Sequence, residues 1–319
     1  MSRLANCDRR SILVLATTWL LNGSISRLLA EQTTGSLAAA VPLPKQSRRY
    51  SVHATVMIGS IPLITKARVG GALLAVEESG TPACGAVALQ FGAGTWPDRL
   101  KGFNRFGITQ EIVRMEHGRL TETSYFSFMT TSREENLSQA KQSFGSSIDS
   151  MPLTLGYGRS TADGCMASIE RENVPATISW SDCPRLMEQL RERKPRVVGR
   201  RTVLSQGSVL PTFLYAVRQA ILSGLPRGSA LYTHNGEIYS LATERRPISG
   251  SAGSVITGRI THRTSRHETD FRLWMASGSD TELPVRIEFR AKSYLKLTLE
   301  LDESQTLPVF TPLLKKTES

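Results

Sequence analysis

The feature that most limits the possible folds is a series of short alternating segments after Gly228, separated by polar turns. Its clearest member is A-L-Y-T-H-N-G-E-I-Y-S-L, where Asn235-Gly236 lies between two runs of alternating apolar and polar residues. A two-residue hairpin turn needs positive φ at both central positions, which Asn-Gly adopts readily, so the pair predicts a hairpin. His234 and Glu237 are then expected to face each other across the turn. Ribbons of this kind pair with their neighbours, which predicts an antiparallel sheet.

Strand-like alternation occupies most of the chain. It covers residues 255–262, 268–275, 284–289 and 294–301 in the C-terminal part, and a run from Tyr50 with residues 72–77, 86–91, 108–116 and 119–128 in the first half. His117-Gly118 lies between the last two of these segments and is expected at a hairpin turn. We therefore expect a mainly β protein with a few helices.

Two of the predicted helices are short and are placed by residues at their ends. Ser132-x-x-Glu135 is a capping-box pattern that opens the first of them. Pro184 opens the second, and Pro195 lies beyond its end. The apolar face of this second helix consists of Leu186, Met187 and Leu190.

The third predicted helix, residues 211–224, is the most apolar. Pro211 suits its first turn, and Gly224 is expected to end it. Its apolar stripe consists of Phe213, Leu214, Val217, Ile221 and Leu225. Tyr215 and Arg218 flank this stripe.

The beginning of the chain has the composition of an export signal. Arg9 and Arg10 precede an apolar run, residues 11–21, that is shorter than a typical transmembrane helix. Ala30 is a small residue at which a signal peptidase could cleave. The paired arginines fit either the general or the twin-arginine export route. We expect a signal peptide at residues 1–30, a flexible linker at 31–49, a single β-rich domain at 50–302 and a loose tail at 303–319.

Charge and cysteine content are interpreted in the light of export to a bacterial periplasm. The net charge of +11 suits peripheral contact with an anionic membrane surface, and we expect no nucleic-acid partner outside the cytoplasm. The alternative is that the arginines only maintain a soluble surface. Cys7 would leave with the signal peptide. In an oxidising compartment Cys165 and Cys183 are candidates for a disulfide.

The segment T-H-R-T-S-R-H-E-T-D-F, residues 261–271, raises the question of a metal site. His262, His267 and Glu268 are candidate ligands, and they are also the candidate residues of an alternative function as an envelope-directed hydrolase. The alternation instead places Glu268 and Asp270 on the solvated face of a hairpin, with Phe271 on the buried face. Metal ligands must converge and be oriented by further contacts, which a hairpin tip rarely provides. We therefore expect the imidazoles and carboxylates of the whole carboxy-terminal third of the chain to face water instead of meeting at a reactive centre.

A second segment combines aromatic and basic residues. W-P-D-R-L-K-G-F-N-R-F-G, residues 96–107, includes Trp96, Phe103 and Arg105 in a predicted loop. Such a mixture suits an anionic, partly apolar ligand. The alternative is that the loop only closes one end of a barrel.

Several motifs together resemble an exported bacterial family, domain of unknown function 3108. They are F-L-Y-A-V-R at residues 213–218, the Asn-Gly hairpin, F-R-L-W-M-A-S-G-S-D-T-E-L-P-V-R-I-E-F at 271–289, and the opening strand Y-S-V-H-A-T-V-M-I-G. The similarity is strongest at residues 210–301. It implies a β-rich periplasmic protein of unassigned activity, with an antiparallel sheet curled into a barrel or half barrel around one helix, here the helix predicted at residues 211–224. On matching positions it points to Tyr215, Arg218 and Trp274.

These expectations favour a binding protein over an enzyme. A curled sheet with an apolar concave face suits an acyl chain or another lipid-like or glycolipid envelope component. Candidate contacts are Tyr215, Arg218, Trp274, Trp96, Phe103 and Arg105, with no catalytic residue and no cofactor. The alternatives are the envelope-directed hydrolase and a structural partner that pairs through exposed edge strands.

Overall fold

The computed structural model describes residues 46–80, 84–100, 103–130, 150–191, 201–202, 209–277, 282–308, 310 and 314. The expected signal peptide, most of the expected linker and the helix predicted from Ser132-x-x-Glu135 lie outside these residues. No helix among them is long and apolar enough to cross a membrane.

The described residues form fourteen strands and two α-helices. The strands are β1 (Gln46–Ile58), β2 (Ile61–Gly80), β3 (Cys84–Thr95), β4 (Phe106–Glu116), β5 (Arg119–Thr130), β6 (Ser150–Thr161), β7 (Gly164–Pro175), β8 (Arg201–Thr202), β9 (Arg227–His234), β10 (Glu237–Pro247), β11 (Ser254–His262), β12 (Glu268–Met275), β13 (Arg286–Lys292) and β14 (Leu295–Leu301). The helices are α1 (Cys183–Arg191) and α2 (Phe213–Leu222), and 3₁₀ turns lie at Pro97–Leu100 and Trp180–Asp182.

All strands belong to one antiparallel sheet. Its order is β8-β7-β6-β5-β4-β3-β2-β1-β14-β13-β12-β11-β10-β9. Every neighbour is adjacent in sequence except one pair, because the first strand pairs with the last. The sheet curls into a nearly closed barrel with two short helices, so the predicted mainly β fold class is confirmed.

The predicted hairpins form where the turn residues indicated. Asn235 and Gly236 have φ values of 51° and 73°, and His234 pairs with Glu237 across the turn. His117 and Gly118 have φ values of 51° and 72° between β4 and β5. Positive φ strains most side chains but is readily adopted by Asn-Gly, so the local sequence decides these turns.

The two helices lie against different faces of the sheet. The apolar face of α1 packs into one core with Leu73 of β2 and Ile108 of β4. The next residue along β2, Leu74, instead packs with side chains of α2. Since neighbouring strand residues point to opposite faces, β2 is covered on both sides. This explains why its central residues form a nearly continuous buried run.

The central helix α2 bridges the two parts of the sheet. Ala216 packs against strands β9 to β12, in a cluster with Tyr232, Leu241, Ile256 and Phe271. Tyr215, one residue earlier, packs against Val76, Leu89 and Val113 of β2, β3 and β4. The helix therefore lies inside the curl of the sheet, as the sequence predicted.

Two predicted boundaries are wrong. The first strand begins at Gln46, so the last residues of the expected linker already pair with β2. The expected loose tail is anchored at Leu307 and Phe310, which are 8% and 3% exposed and join the core under α1. The ring of Phe310 lies 5.8 Å from that of Trp180. Burial of these apolar side chains fixes part of a segment that was expected to be loose.

The disulfide considered between Cys165 and Cys183 is not formed. Both residues are buried free thiols. The Cys165 thiol donates to Ser160 Oγ at 3.2 Å, and that of Cys183 points to the Ser179 carbonyl at 3.8 Å.

Candidate functional site

An apolar cavity of about 100 Å³ lies between α2 and the two parts of the sheet. It is lined by Leu74, Val76, Leu89, Phe91, Phe213, Leu214, Val217, Arg218, Ile221, Phe271, Leu273, Glu282, Leu283, Pro284, Ile287 and Phe289. Only two of these side chains are charged. The cavity is therefore suited to a hydrocarbon group and offers few partners to a polar one.

The helical repeat places one wall of the cavity. Phe213, Val217 and Ile221 recur every four residues, so they lie above one another on one face of α2. The facing walls come from the first part of the sheet through β2 and β3, and from the second part through β12 and β13. The cavity thus exists only because the sheet curls far enough to bring its two parts to the same helix.

Arg218 lies at the rim of the cavity. Its guanidinium group donates to Glu78 at 2.5 Å and to Glu282 at 2.8 Å. The Arg218 side chain is 11% exposed, whereas the two carboxylates are 45% and 34% exposed. The rim therefore carries one positive charge against two negative ones. This balance does not favour an anionic group at the cavity mouth.

The N-terminus of α2 is held by Glu111 of β4. Its two carboxylate oxygens accept hydrogen bonds from the backbone amides of Leu214, at 3.0 Å, and Tyr215, at 3.1 Å. Free amides and the helix dipole both favour a carboxylate at this position. Burial opposes its charge and raises the pKa of Glu111 from 4.5 to about 7, although the two amide bonds lower it. Glu111 thus fixes where the cavity-lining helix begins.

A buried polar group lies where the β9–β10 hairpin meets β5. The Tyr125 hydroxyl donates to Asn235 Oδ1 and accepts from the Asn235 amide, both at 2.8 Å. The His234 ring stacks on that of Tyr125 at 5.1 Å. Burial lowers the pKa of His234 from 6.5 to about 4, so the imidazole is neutral at pH 7. A Cβ at Gly158 would come within 2.0 Å of the Tyr125 ring, so this position must be glycine.

The expectation that the imidazoles of this third of the chain face water is wrong for two of them. The His234 ring is half-buried and stacks on Tyr125, and the His262 side chain is only 14% exposed. The Nδ1 atom of His262 accepts from the Ser265 amide at 3.0 Å, and its ring meets Tyr239 edge-on at 4.8 Å. Tyr125 covers the His234 ring and Tyr239 covers the His262 ring, although the alternation alone predicted that both imidazoles face water.

The alternative metal site is not assembled. The Glu268 carboxylate turns to Arg259, at 3.8 Å, and is about half exposed. The carboxylate near His262 is that of Glu237 instead, with 4.0 Å between Oε2 and Nε2. In the part of the chain that the structure describes, no three histidine, cysteine or acidic residues are grouped as metal ligands. The expected solvation of Glu268 and Asp270 and burial of Phe271 are confirmed.

The predicted ligand contacts separate into three places. Arg218 lines the cavity, and Tyr215 lies on the same helix but points to β4, where its hydroxyl approaches Met115 Sδ at 3.4 Å. Trp274 lies on β12 outside the cavity lining, with the Arg286 guanidinium 4.9 Å from its ring centroid. Trp274 thus lies away from the cavity, and its role as a ligand contact stays a prediction. The alternation predicted the strand that carries Trp274, but it did not predict that Arg286 of β13 lies beside the Trp274 ring.

Trp96, Phe103 and Arg105 belong to a loop that packs at the edge of the core under α1. The Thr95 hydroxyl donates to the carbonyls of Phe103, at 3.0 Å, and Arg105, at 3.2 Å. The Arg105 guanidinium stacks on Phe103 at 4.7 Å. None of the three lines the cavity. The alternative of a closing loop agrees with these contacts.

Sequence reasoning missed Glu111, and it placed His234 at a hairpin turn without its contact to Tyr125. A signal for Glu111 was present, since Gln110 and Glu111 interrupt the apolar residues of the strand predicted at residues 108–116. A charged residue at such a position needs buried partners. Nothing local identifies those partners, because Leu214 lies 103 residues away along the chain.

Comparison with known proteins gives no family for this chain. No family model matches, and no curated protein matches significantly. One solved structure is similar at low level: the crystal structure of a beta-barrel-like protein of domain of unknown function DUF1849 from Brucella abortus. It has 9% sequence identity and a TM-score of 0.38, over 81% of this chain and 95% of that chain. The resemblance to domain of unknown function 3108 stays a prediction.

Proposed function

We propose that the protein is an exported, non-enzymatic binding protein of the bacterial cell envelope that holds an apolar segment of a lipid-like molecule beside α2. The observation that carries this proposal is the cavity between the helix and the two parts of the sheet, with its almost wholly apolar lining. Export is supported by the composition of residues 1–30. The buried carboxylate of Glu111 already accepts hydrogen bonds from two backbone amides of α2.

The size of the cavity limits what enters it. Ligand pockets usually measure about 300–1,000 Å³, and an engineered apolar cavity of about 150 Å³ takes a benzene ring. The cavity here, about 100 Å³, is at the lower end of this scale. It therefore holds the end of a hydrocarbon chain or a small branch, and the rest of the ligand lies outside.

The charges at the rim select the polar part of the ligand. Arg218 is already bound to two carboxylates, Glu78 and Glu282. An anionic head would have to displace one carboxylate and meet the repulsion of both. We infer that a neutral head, such as a hydroxyl or an amide, is preferred over a free fatty acid.

The test uses 1-alkanols of about four to ten carbons and the corresponding carboxylates, with affinity measured by calorimetry. Each added CH₂ is expected to strengthen binding by up to about 0.8 kcal/mol until the cavity is filled, after which the gain stops. Each alkanol should bind more tightly than its carboxylate. Native mass spectrometry of gently purified protein should show a retained apolar ligand.

A cavity-filling variant identifies the site. Val217→Phe is expected to abolish alkanol binding, because the new ring occupies the cavity. Leu222→Phe, on the same helix at a side chain that is 41% exposed, is the matched control and should bind normally. Wild-type protein that binds no alkanol and carries no ligand would contradict the proposal, and so would equal binding by both variants.

A further inference from the structure

The β1–β2 hairpin carries an exposed apolar tip. The side chains of Ile58, Ile61, Leu63 and Ile64 are 59%, 66%, 50% and 68% exposed. Leu63 and Ile64 are adjacent in a strand and so point to opposite faces of the ribbon. Exposed apolar residues scattered singly need no explanation, but a contiguous group marks an interaction site. A partner protein would usually cover one face, whereas here both faces are apolar.

The outer edge of this ribbon is poorly suited to strand addition. β3 pairs with β2 only from Gly70 onward, so in the described part of the chain residues 61–69 have no strand on that side. Pro62 offers no amide to a partner strand. At the other end, the Val69 carbonyl accepts from the Trp96 amide and the Arg68 carbonyl from the Arg99 guanidinium.

Basic residues surround the tip on two adjacent hairpins. Residues 54–69 contain Lys66 and Arg68 and no acidic residue. Residues 289–299, which form the neighbouring β13–β14 hairpin, contain Arg290, Lys292 and Lys296 and no acidic residue. The two hairpins are joined, because β1 pairs with β14 and the Arg290 guanidinium donates to the Gly59 carbonyl.

Acidic neighbours do not cancel this charge. Glu288 lies 3.8 Å from Lys296, and Asp302 lies 3.7 Å from Arg68. Among the described residues, these are the two carboxylates within 4.0 Å of the five cations of the two hairpins. Lys66 follows Ile64 by two residues, about 7 Å along the strand. The arrangement is therefore an apolar end with positive charge directly behind it.

We propose that the β1–β2 hairpin tip inserts into the surface of a lipid bilayer that contains anionic headgroups. The four apolar side chains enter the boundary between headgroups and acyl chains, and the cations of both hairpins contact the phosphates behind them. Each lysine or arginine near an anionic surface strengthens such binding, and salt weakens it. This contact is separate from the cavity, which lies between α2 and the sheet.

The test is flotation of the full chain with vesicles of phosphatidylcholine, with and without about 30% phosphatidylglycerol. Wild-type protein should float with the anionic vesicles and less so at high salt. The pair Ile61→Ser and Ile64→Ser should weaken this binding at least about tenfold, since two apolar side chains no longer enter the bilayer. The matched control is the pair Met166→Ser and Leu225→Ser, also exposed apolar residues, at 44% and 58%. It should bind as wild type does.

A site-specific probe separates the hairpin from residues 11–21, whose apolar run is common to all variants. Because the chain already has four tryptophans, including Trp19 in that run, the readout is the quenching by brominated phospholipid in excess of wild type. A tryptophan placed at the tip, Ile61→Trp, should add such quenching, whereas one placed at Leu225→Trp should not. Equal flotation of the hairpin pair and wild type, or an unquenched probe at position 61, would overturn the proposal. Self-association in ultracentrifugation that the hairpin pair abolishes, with vesicle binding unchanged, would also overturn it and assign the tip to a second copy.

Discussion

At the residue scale, Glu111 combines a structural role with sensitivity to pH. It is 3% exposed and binds two amides at the start of α2. Its pKa of about 7, against an ordinary 4.5, means that the folded protein keeps the proton over a range in which the unfolded chain has released it. The group therefore contributes stability below pH 4.5 that is lost as the pH rises through 7.

We predict that Glu111→Gln removes this dependence. The free energy of unfolding of wild type, minus that of the variant, should fall by about 3 kcal/mol between pH 4.5 and 7, because the raised pKa acts only in wild type. Urea unfolding at a series of pH values measures the difference. A difference that stays constant over this range would contradict the raised pKa.

His234 needs its own control, because it acts in the opposite direction. Its pKa is lowered to about 4, so the unfolded chain binds a proton between pH 4 and 6.5 that the folded protein excludes. Stability from this group is therefore gained as the pH rises over that range. Repeating the comparison in a His234→Gln background separates the two effects.

At the element scale, small residues in β3 decide where the turn before α1 can lie. Trp180 is fully buried in the 3₁₀ turn that precedes the helix. A Cβ at Gly94 would come within 2.4 Å of the Trp180 Cβ, and one at Gly92 within 2.6 Å of its ring. The indole thus packs directly on the β3 backbone. This contact explains the two glycines of F-G-A-G-T.

We predict that Gly94→Ala destabilises the protein by about 1–3 kcal/mol, because the added methyl group pushes the Trp180 turn away from β3. Gly107→Ala, where the nearest atom would be Met129 Cβ at 3.1 Å, is the matched control and should cost less. Thermal unfolding of both variants measures the costs. Equal destabilisation by the two variants would contradict the prediction, because it would show that Trp180 packs loosely on Gly94.

At the whole-molecule scale, local features were predictable and the site was not. Alternation and Asn235-Gly236 identified strands and hairpins, since these depend on neighbours in sequence. Alternation names no partner, so it could not show that β1 pairs with β14 or that β2 and β12 face one helix. The cavity depends on both. Arg218 was identified on its helix, but its partners Glu78 and Glu282 come from distant segments.

We predict that the β1–β14 pairing couples both parts of the sheet into one cooperative unit. Leu299 is fully buried there, in a cluster with Tyr50 and Val52. Leu299→Ala should cost about 2–5 kcal/mol. Hydrogen exchange should show the same loss of protection in β4 and in β11. A loss confined to β1, β13 and β14 would show that the two parts unfold separately.

The pairing of the first strand with the last also sets when folding can finish. The Ser51 hydroxyl reaches the Asp302 carboxylate across 251 residues of chain. While the chain is being synthesised, β1 must wait for β14 before its second edge is covered. Such non-local pairing slows folding, because the closure entropy of the intervening chain is lost before the contacts form.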